Sequence, residues 1–141
     1  MVESYNHFRF VTGVFRVRIW IDGENWSAAW SDGVGTWPAT GEIDAWETLN
    51  NKGCYHVHDT SGGPGGCPVA ATPGWHTIKY VRTTSSVTFF YDKVNVGSIS
   101  TAKFAAAEHY LILSQQLSSS ISPPIVVPSE MRVDWVEVDP L

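Results

Sequence analysis

Three carboxylates, Glu42, Asp44 and Glu47, stand close together in the stretch WPATGEIDAWETLN, residues 37–50. Their neighbours Ile43, Ala45 and Trp46 are apolar, so the stretch otherwise reads as a buried strand. In a regular strand Glu42 and Asp44 share a face, being two apart, and Glu47 points the other way. Ala45 and Trp46 are consecutive apolar residues and break the alternation. One extra residue, a β-bulge at Ala45–Trp46, brings Glu47 back to the face of Glu42 and Asp44. Ile43 is then buried behind them. Such a trio has a chemical use. Cleaving a glycosidic bond needs a carboxylic acid to protonate the leaving oxygen. It also needs a carboxylate to stabilise or attack the anomeric carbon. Crowding raises the pKa of at least one carboxyl group, which keeps an acid protonated near neutral pH. The middle Asp44 can hydrogen-bond its neighbours and hold them in place. The alternatives for the trio are a solvated acidic strand face or a calcium site.

The rest of the chain must position these groups. Its 141 residues amount to one domain, and the reading is a single domain over 1–141. Hydrophobic residues at 43% and charged residues at 16% argue against disorder. A formal charge of −5, with no basic run, argues against nucleic acid as a partner. No stretch has the ~20 apolar residues of a membrane span. The opening MVESYNHFRF lacks the apolar core of a signal peptide. Seven Trp is a high count. Each Trp has two uses, as core filler or as a flat platform for a ligand with apolar faces, such as a sugar ring. Cys54 and Cys67 flank twelve residues in CYHVHDTSGGPGGC. Both can be free thiols, but the spacing across a Gly-rich loop suits a local disulfide better, worth roughly 3 kcal/mol. A disulfide implies an oxidising compartment. A zinc site of the two Cys with His56 and His58 is the lesser alternative.

Helix signals are nearly absent; AKFAAAEHYL, 102–111, is expected to start one turn and run into the β-like YLIL. Elsewhere the period is two. In VFRVRIWI, Phe15, Val17, Ile19 and Ile21 share one face, and Val14, Arg16, Arg18 and Trp20 the other. WHTIKYV and SVTFFYD read as strands, and YDKVNVG reads as a hairpin turning at Asp92 and Lys93. EMRVDWVEV alternates Met131, Val133 and Trp135 against Arg132, Asp134 and Val136. Gly, Pro and Ser supply the punctuation, and there is no internal repeat. Many short strands with turns between them predict an all-β antiparallel sandwich or barrel.

WPATGEIDAWE resembles the signature of glycoside hydrolase family 16, the laminarinase, lichenase and agarase group, in its longer, bulged form. TGVFRVRI, NWSAAW, YHVHD, GWHTIKYV, VTFFYDKVNVG, HYLIL and MRVDWVEV resemble further blocks of that family in the same order. The resemblance implies a β-jelly-roll, two stacked curved sheets whose concave face is an open cleft for a β-linked polysaccharide. It implies a secreted, retaining endo-β-glucan hydrolase of laminarin-type or mixed-linkage specificity. Glu42 then matches the nucleophile, Glu47 the acid/base and Asp44 the assisting carboxylate. Retention requires the two carboxyl groups to be about 5–5.5 Å apart. Trp26, Trp30 and Trp37 match positions near the cleft, and His58 matches a cleft histidine that contacts sugar. Trp75 and Trp135 are expected in the core. No cofactor is implied beyond a structural calcium that some members hold, at positions matched by Gly13 and Asp134.

The chain also departs from the pattern. Family members have several strands ahead of the TGVFRVRI block, and this chain starts just before it. It therefore reads as the C-terminal portion of the family domain, with bare strand edges and exposed apolar faces. Arg16 stands where the family has Glu, and Lys93 where the hairpin usually has Gly. The polar SQQLSSSISPPIVVPS, 114–129, replaces a segment that carries cleft residues in the family. Two other functions keep the same trio. One is a glycan-binding jelly roll without turnover; the other is a transglycosylase, which passes the glycosyl group to a sugar. Oligomeric state is open.

Overall fold

The computed structural model describes residues 1–118 and 125–141. Its strands, in chain order, are β1 (Val2–Glu3), β2 (Gly13–Ile21), β3 (Trp26–Gly33), β4 (Glu42–Leu49), β5 (Lys52–His58) and β6 (Gly65–Ala70). Then follow β7 (Gly74–Arg82), β8 (Ser86–Tyr91), β9 (Val94–Ser100), β10 (His109–Gln116) and β11 (Arg132–Asp139). A 3₁₀ turn, Ala102–Phe104, precedes β10, as the AKFAAAEHYL stretch suggested. Part of the polar segment 114–129, residues 119–124, lies outside the described residues.

All strand pairings are antiparallel, in two sheets. One is six-stranded, ordered β1-β10-β3-β4-β5-β6; the other is five-stranded, ordered β11-β2-β7-β8-β9. Each sheet turns an apolar face to the other. From the five-stranded sheet come Phe15, Val17, Ile19 and Ile21 of β2, Ile78 and Tyr80 of β7, and Val87 and Phe89 of β8. From the six-stranded sheet come Ala29, Ile43, Trp46, Val57 and Leu111. The alternation along β2 is complete: every odd residue from Gly13 to Ile21 is buried and every even one is not. The chain is an all-β antiparallel sandwich of the jelly-roll kind.

Two tight hairpins fix the register. Asp92 and Lys93, at φ 44° and 74°, join β8 to β9 with Tyr91 opposite Val94. Asn50 and Asn51, at φ 50° and 61°, join β4 to β5 with Leu49 opposite Lys52. Both central residues at positive φ match the right-handed twist of the strands, and Asn and Asp tolerate that conformation best. Lys93 tolerates it less well than Gly would.

Trp75 and Trp135 are not core residues; they are 39% and 37% exposed. The core-facing residues of β7 are Ile78, Tyr80 and Arg82, so the odd-numbered Trp75 falls on the outer face. There it meets Trp20 edge-on at 6.0 Å. Along β11 a bulge between Val133 and Trp135 leaves Asp134 without a residue opposite it in the β2 register. The bulge reverses the expected parity. Trp135 moves opposite Arg18 on the outer face, and Val136 moves opposite Val17.

Cys54 and Cys67 form a disulfide between β5 and β6. The free-thiol and cysteine–zinc alternatives therefore fall away. The bridge closes a loop that contains His56 and His58. Replacing both cysteines by Ser should lower the unfolding free energy by about 3 kcal/mol, the loop-closure value for a crosslink of this span. Urea denaturation of the double variant beside wild type measures it.

Candidate active site

The bulge predicted at Ala45–Trp46 is present. Against β3, Trp30 faces Asp44 and Ala29 faces Trp46, so Ala45 is the extra residue. Against β5, Asp44 faces His56 and Glu47 faces Cys54, so two residues of β4 oppose one of β5. Trp46 is consequently buried between the sheets, stacked on Tyr91 at 5.0 Å. Gly53 makes room for it, since a Cβ there would lie 2.1 Å from the indole. Glu42, Asp44 and Glu47 emerge together on the open face of the six-stranded sheet. Gly41, at φ 76°, launches the strand, and its hydrogen faces the ring of Phe104 where a Cβ would collide.

The three carboxylates have different surroundings. Glu47 has both oxygens engaged. Trp26 Nε1 donates to Oε1 at 3.1 Å, and His56 Nδ1 lies 2.7 Å from Oε2. Glu42 Oε2 accepts from Trp37 Nε1 at 2.7 Å, while its Oε1 lies 3.9 Å from His58 Nε2. Asp44 is 3% exposed. Its Oδ2 lies 3.2 Å from His58 Nε2, yet among the described residues it has no hydrogen-bond partner of acceptable geometry. It does not hold its neighbours by hydrogen bonds, as expected of it; it meets His58 instead.

Burial dominates the electrostatics. Desolvation pushes the Asp44 carboxyl up to about 7, with Glu47 and Glu42 adding to the rise and His58 opposing it. Glu42 is also raised, mainly by desolvation, against the pull of His58 and the Trp37 N–H. His58 is raised by its contact with Asp44, which favours the imidazolium.

The aromatic residues surround this trio. Trp26 and Trp30 project from β3 onto the same face, where Trp30 Nε1 donates to Ser114 Oγ of β10 at 3.2 Å. Trp37, 56% exposed, stands at the rim, with its ring 6.5 Å from that of His58. Two adjoining hollows of about 140 and 460 Å³ share Trp26, Glu42 and Glu47 as lining. Acid groups flanked by flat apolar rings can hold a polyol ring and exchange protons with it. The structure does not bring Gly13 and Asp134 together. Gly13 packs on the Asp139 backbone at the far end of the ladder, and Asp134 accepts a hydrogen bond from Arg18 at 2.5 Å. These two residues do not fit a shared calcium.

Two members of the site were not singled out for it. His56 reaches Glu47 because the Asn50–Asn51 turn and the bulge set the β4–β5 register. The Asn-Asn pair was the available signal. Asp32 of β3 lies opposite Glu42 and accepts from Tyr110 Oη at 3.1 Å. Burial raises its carboxyl as well. Nothing local in the sequence marks Asp32, since its neighbour β10 comes some eighty residues later.

No protein-family profile matches this chain, and no curated protein sequence matches it. Solved structures do. A variant of a non-specific endo-β-1,3(4)-glucanase from glycoside hydrolase family 16, with 1,3-β-D-cellobiosyl-glucose at its active site, is similar with TM-score 0.84 at 21% identity. The match covers 96% of this chain and 63% of that one. The laminarinase catalytic domain from Thermotoga maritima gives 0.81 at 18% identity, over 96% of this chain and 66% of its own. The endo-β-1,3-glucanase from Pyrococcus furiosus gives 0.81 at 20% identity, over 96% and 64%. The chain thus has the fold of these enzymes and spans just under two thirds of the length of each.

The raised carboxyl predicts a pH dependence of stability. Unfolded Asp44 titrates near 3.8 and the folded group at about 7. Between these values the folded chain holds a proton that the unfolded chain has released. The resulting stabilisation is complete below the lower value and lost as pH rises through the upper one. Glu42 and His58, both raised, act in the same direction. Stability to urea should therefore fall between about pH 4 and pH 7. In Asp44→Asn the fall should be clearly shallower.

Proposed function

We propose that this chain is a retaining endo-β-glucan hydrolase domain acting on laminarin-type or mixed-linkage glucan. The observation that carries the reading is the bulged strand. It sets Glu42, Asp44 and Glu47 on one open sheet face beside Trp26, Trp30, Trp37 and His58. The fold shared with solved family 16 glucanases, one of them with a glucan oligosaccharide at its active site, supports the substrate class.

In this reading Glu47 gives its proton to the glycosidic oxygen while Glu42 attacks the anomeric carbon. The C–O bond breaks, and the first sugar product leaves with that proton. Glu47, now a carboxylate, takes a proton from water. The water oxygen attacks the same carbon, releases Glu42, and restores the original anomeric configuration. Trp26 and His56 aim the Glu47 oxygens, and the Trp37 N–H holds Glu42 with Oε1 free. Asp44, protonated below about pH 7, lends a hydrogen to the forming and breaking Glu42 ester. Stacking on Trp37 holds a sugar ring against this edge. The disulfide suits secretion into an oxidising medium.

Reducing-end release from laminarin and from mixed-linkage barley glucan tests the proposal. Wild type should act on at least one, with the β-anomer appearing first by proton NMR. Glu47→Gln should lose about 10²–10⁴-fold in kcat, and Glu42→Gln at least as much. Folded wild type that binds glucan and releases nothing would instead make the chain a binding module. Longer oligosaccharides formed with an added acceptor sugar would make it a transglycosylase.

A further inference from the structure

Three possible ligand atoms of the acid face converge, with only one another for polar side-chain neighbours among the described residues. Glu42 keeps Oε2 on Trp37 and leaves Oε1 open. Asp44 Oδ2 is buried without a hydrogen-bond partner. His58 Nε2 lies 3.2 Å from that Oδ2 and 3.9 Å from Glu42 Oε1. Each of the three residues offers one ligand atom within 4.8 Å of those of the other two. The neighbouring set is different: Glu47 and His56 already satisfy each other at 2.7 Å, and Trp26 holds the other Glu47 oxygen. Only the first set is open to take something.

We propose that Glu42 Oε1, Asp44 Oδ2 and His58 Nε2 form a binding site for a zinc-like divalent cation, and that its occupancy shuts off glucan cleavage. At Zn–N and Zn–O bonds of about 2.0–2.2 Å, neighbouring ligand atoms of a tetrahedron sit about 3.3–3.6 Å apart. The His58–Asp44 spacing is already close to that, and a small rotation of Glu42 closes the longer gap. The fourth position faces the cleft and takes water. One imidazole and two carboxylates favour zinc over calcium, which needs six to eight oxygens, and over magnesium, which needs octahedral oxygen ligands. Two carboxylates neutralise the ion, and the ion engages the buried Asp44 Oδ2, which makes no hydrogen bond among the described residues. A cation there removes the free lone pair of Glu42 from the anomeric carbon. The blocking half of the proposal rests on the glucanase reading; the binding half does not.

Titration calorimetry of zinc chloride into the oxidised protein, in a non-chelating buffer near neutral pH, tests the binding. One zinc per chain is expected, with calcium and magnesium giving no comparable heat. His58→Ala and Glu42→Gln should each weaken it about 10-fold or more, while His56→Ala keeps it. Cobalt in place of zinc should give visible d–d bands that His58→Ala abolishes. Far-ultraviolet circular dichroism checks that each variant is folded; His58→Gln replaces His58→Ala if the latter is not. Absence of saturable zinc binding overturns the site. So does binding that survives both His58→Ala and Glu42→Gln, or that depends on His56 instead. Glucan release by wild type should fall with the same zinc midpoint as the calorimetry. If zinc binds and wild type never releases sugar, the glucanase reading fails and the binding stands. If wild type cleaves glucan and takes no zinc, the site fails alone.

Discussion

A strand with one face in a core and one in solvent can present only every second residue to each. The sequence EIDAWE asks for more than that: three acids outward, with Ile43 and the large Trp46 inward. A single extra residue resolves the conflict. With Ala45 unmatched on β3, the phase of β4 shifts by one between Asp44 and Glu47. Without the shift, one of two things happens. Either Glu47 enters a core lined by Phe89 and Tyr80, or Trp46 leaves it. A buried unpaired carboxylate or a lost aromatic each costs several kcal/mol. Packing and chemistry thus impose the same local distortion.

The surrounding sandwich makes that distortion tolerable. β4 is central in its sheet, with β3 on one side and β5 on the other. Its backbone partners hold it firmly on both sides of the irregularity. Beneath it, Trp46 fills the gap against Tyr91, and Gly53 yields the needed space. The Asn50–Asn51 hairpin and the Cys54–Cys67 bridge then tie β5 to β4 and β6. His56 and His58 are carried by that same tied strand. The stiffness of the β4–β5–β6 corner therefore reaches the groups that touch the acids.

Much of this was legible in residue order. The period of two along β2 gave its buried face without error. The double apolar step Ala45–Trp46 announced the bulge, and the two cysteines across glycines announced their bond. Trp75 and Trp135 were harder. Aromatic content says that a residue can be buried, but parity decides whether it is. The parity of β11 is reset by a bulge at Asp134. Nothing in EMRVDWVEV breaks the alternation as AW does in β4, so that bulge leaves no local trace. Asp32 and Tyr110 were invisible for a different reason. Their contact joins β3 to β10, and pairings between distant strands depend on topology, which short motifs do not encode.

The partners of the acids also explain why three like charges can share one face. In water-poor surroundings they repel, and some of them must be protonated or compensated. The site does both, unevenly. Glu47 receives an indole N–H and an imidazole, whereas Glu42 receives one indole N–H and stands farther from its histidine. Asp44, between them, receives the least and is the most buried, so it is the group that keeps a proton up to about pH 7. A chemically uniform trio is thereby given three different surroundings by neighbours alone. Adding two histidines to the opposite strand does more than lower the repulsion. It places an imidazole nitrogen within 4 Å of a carboxylate oxygen of each acid, so every acid of the face has a nitrogen neighbour.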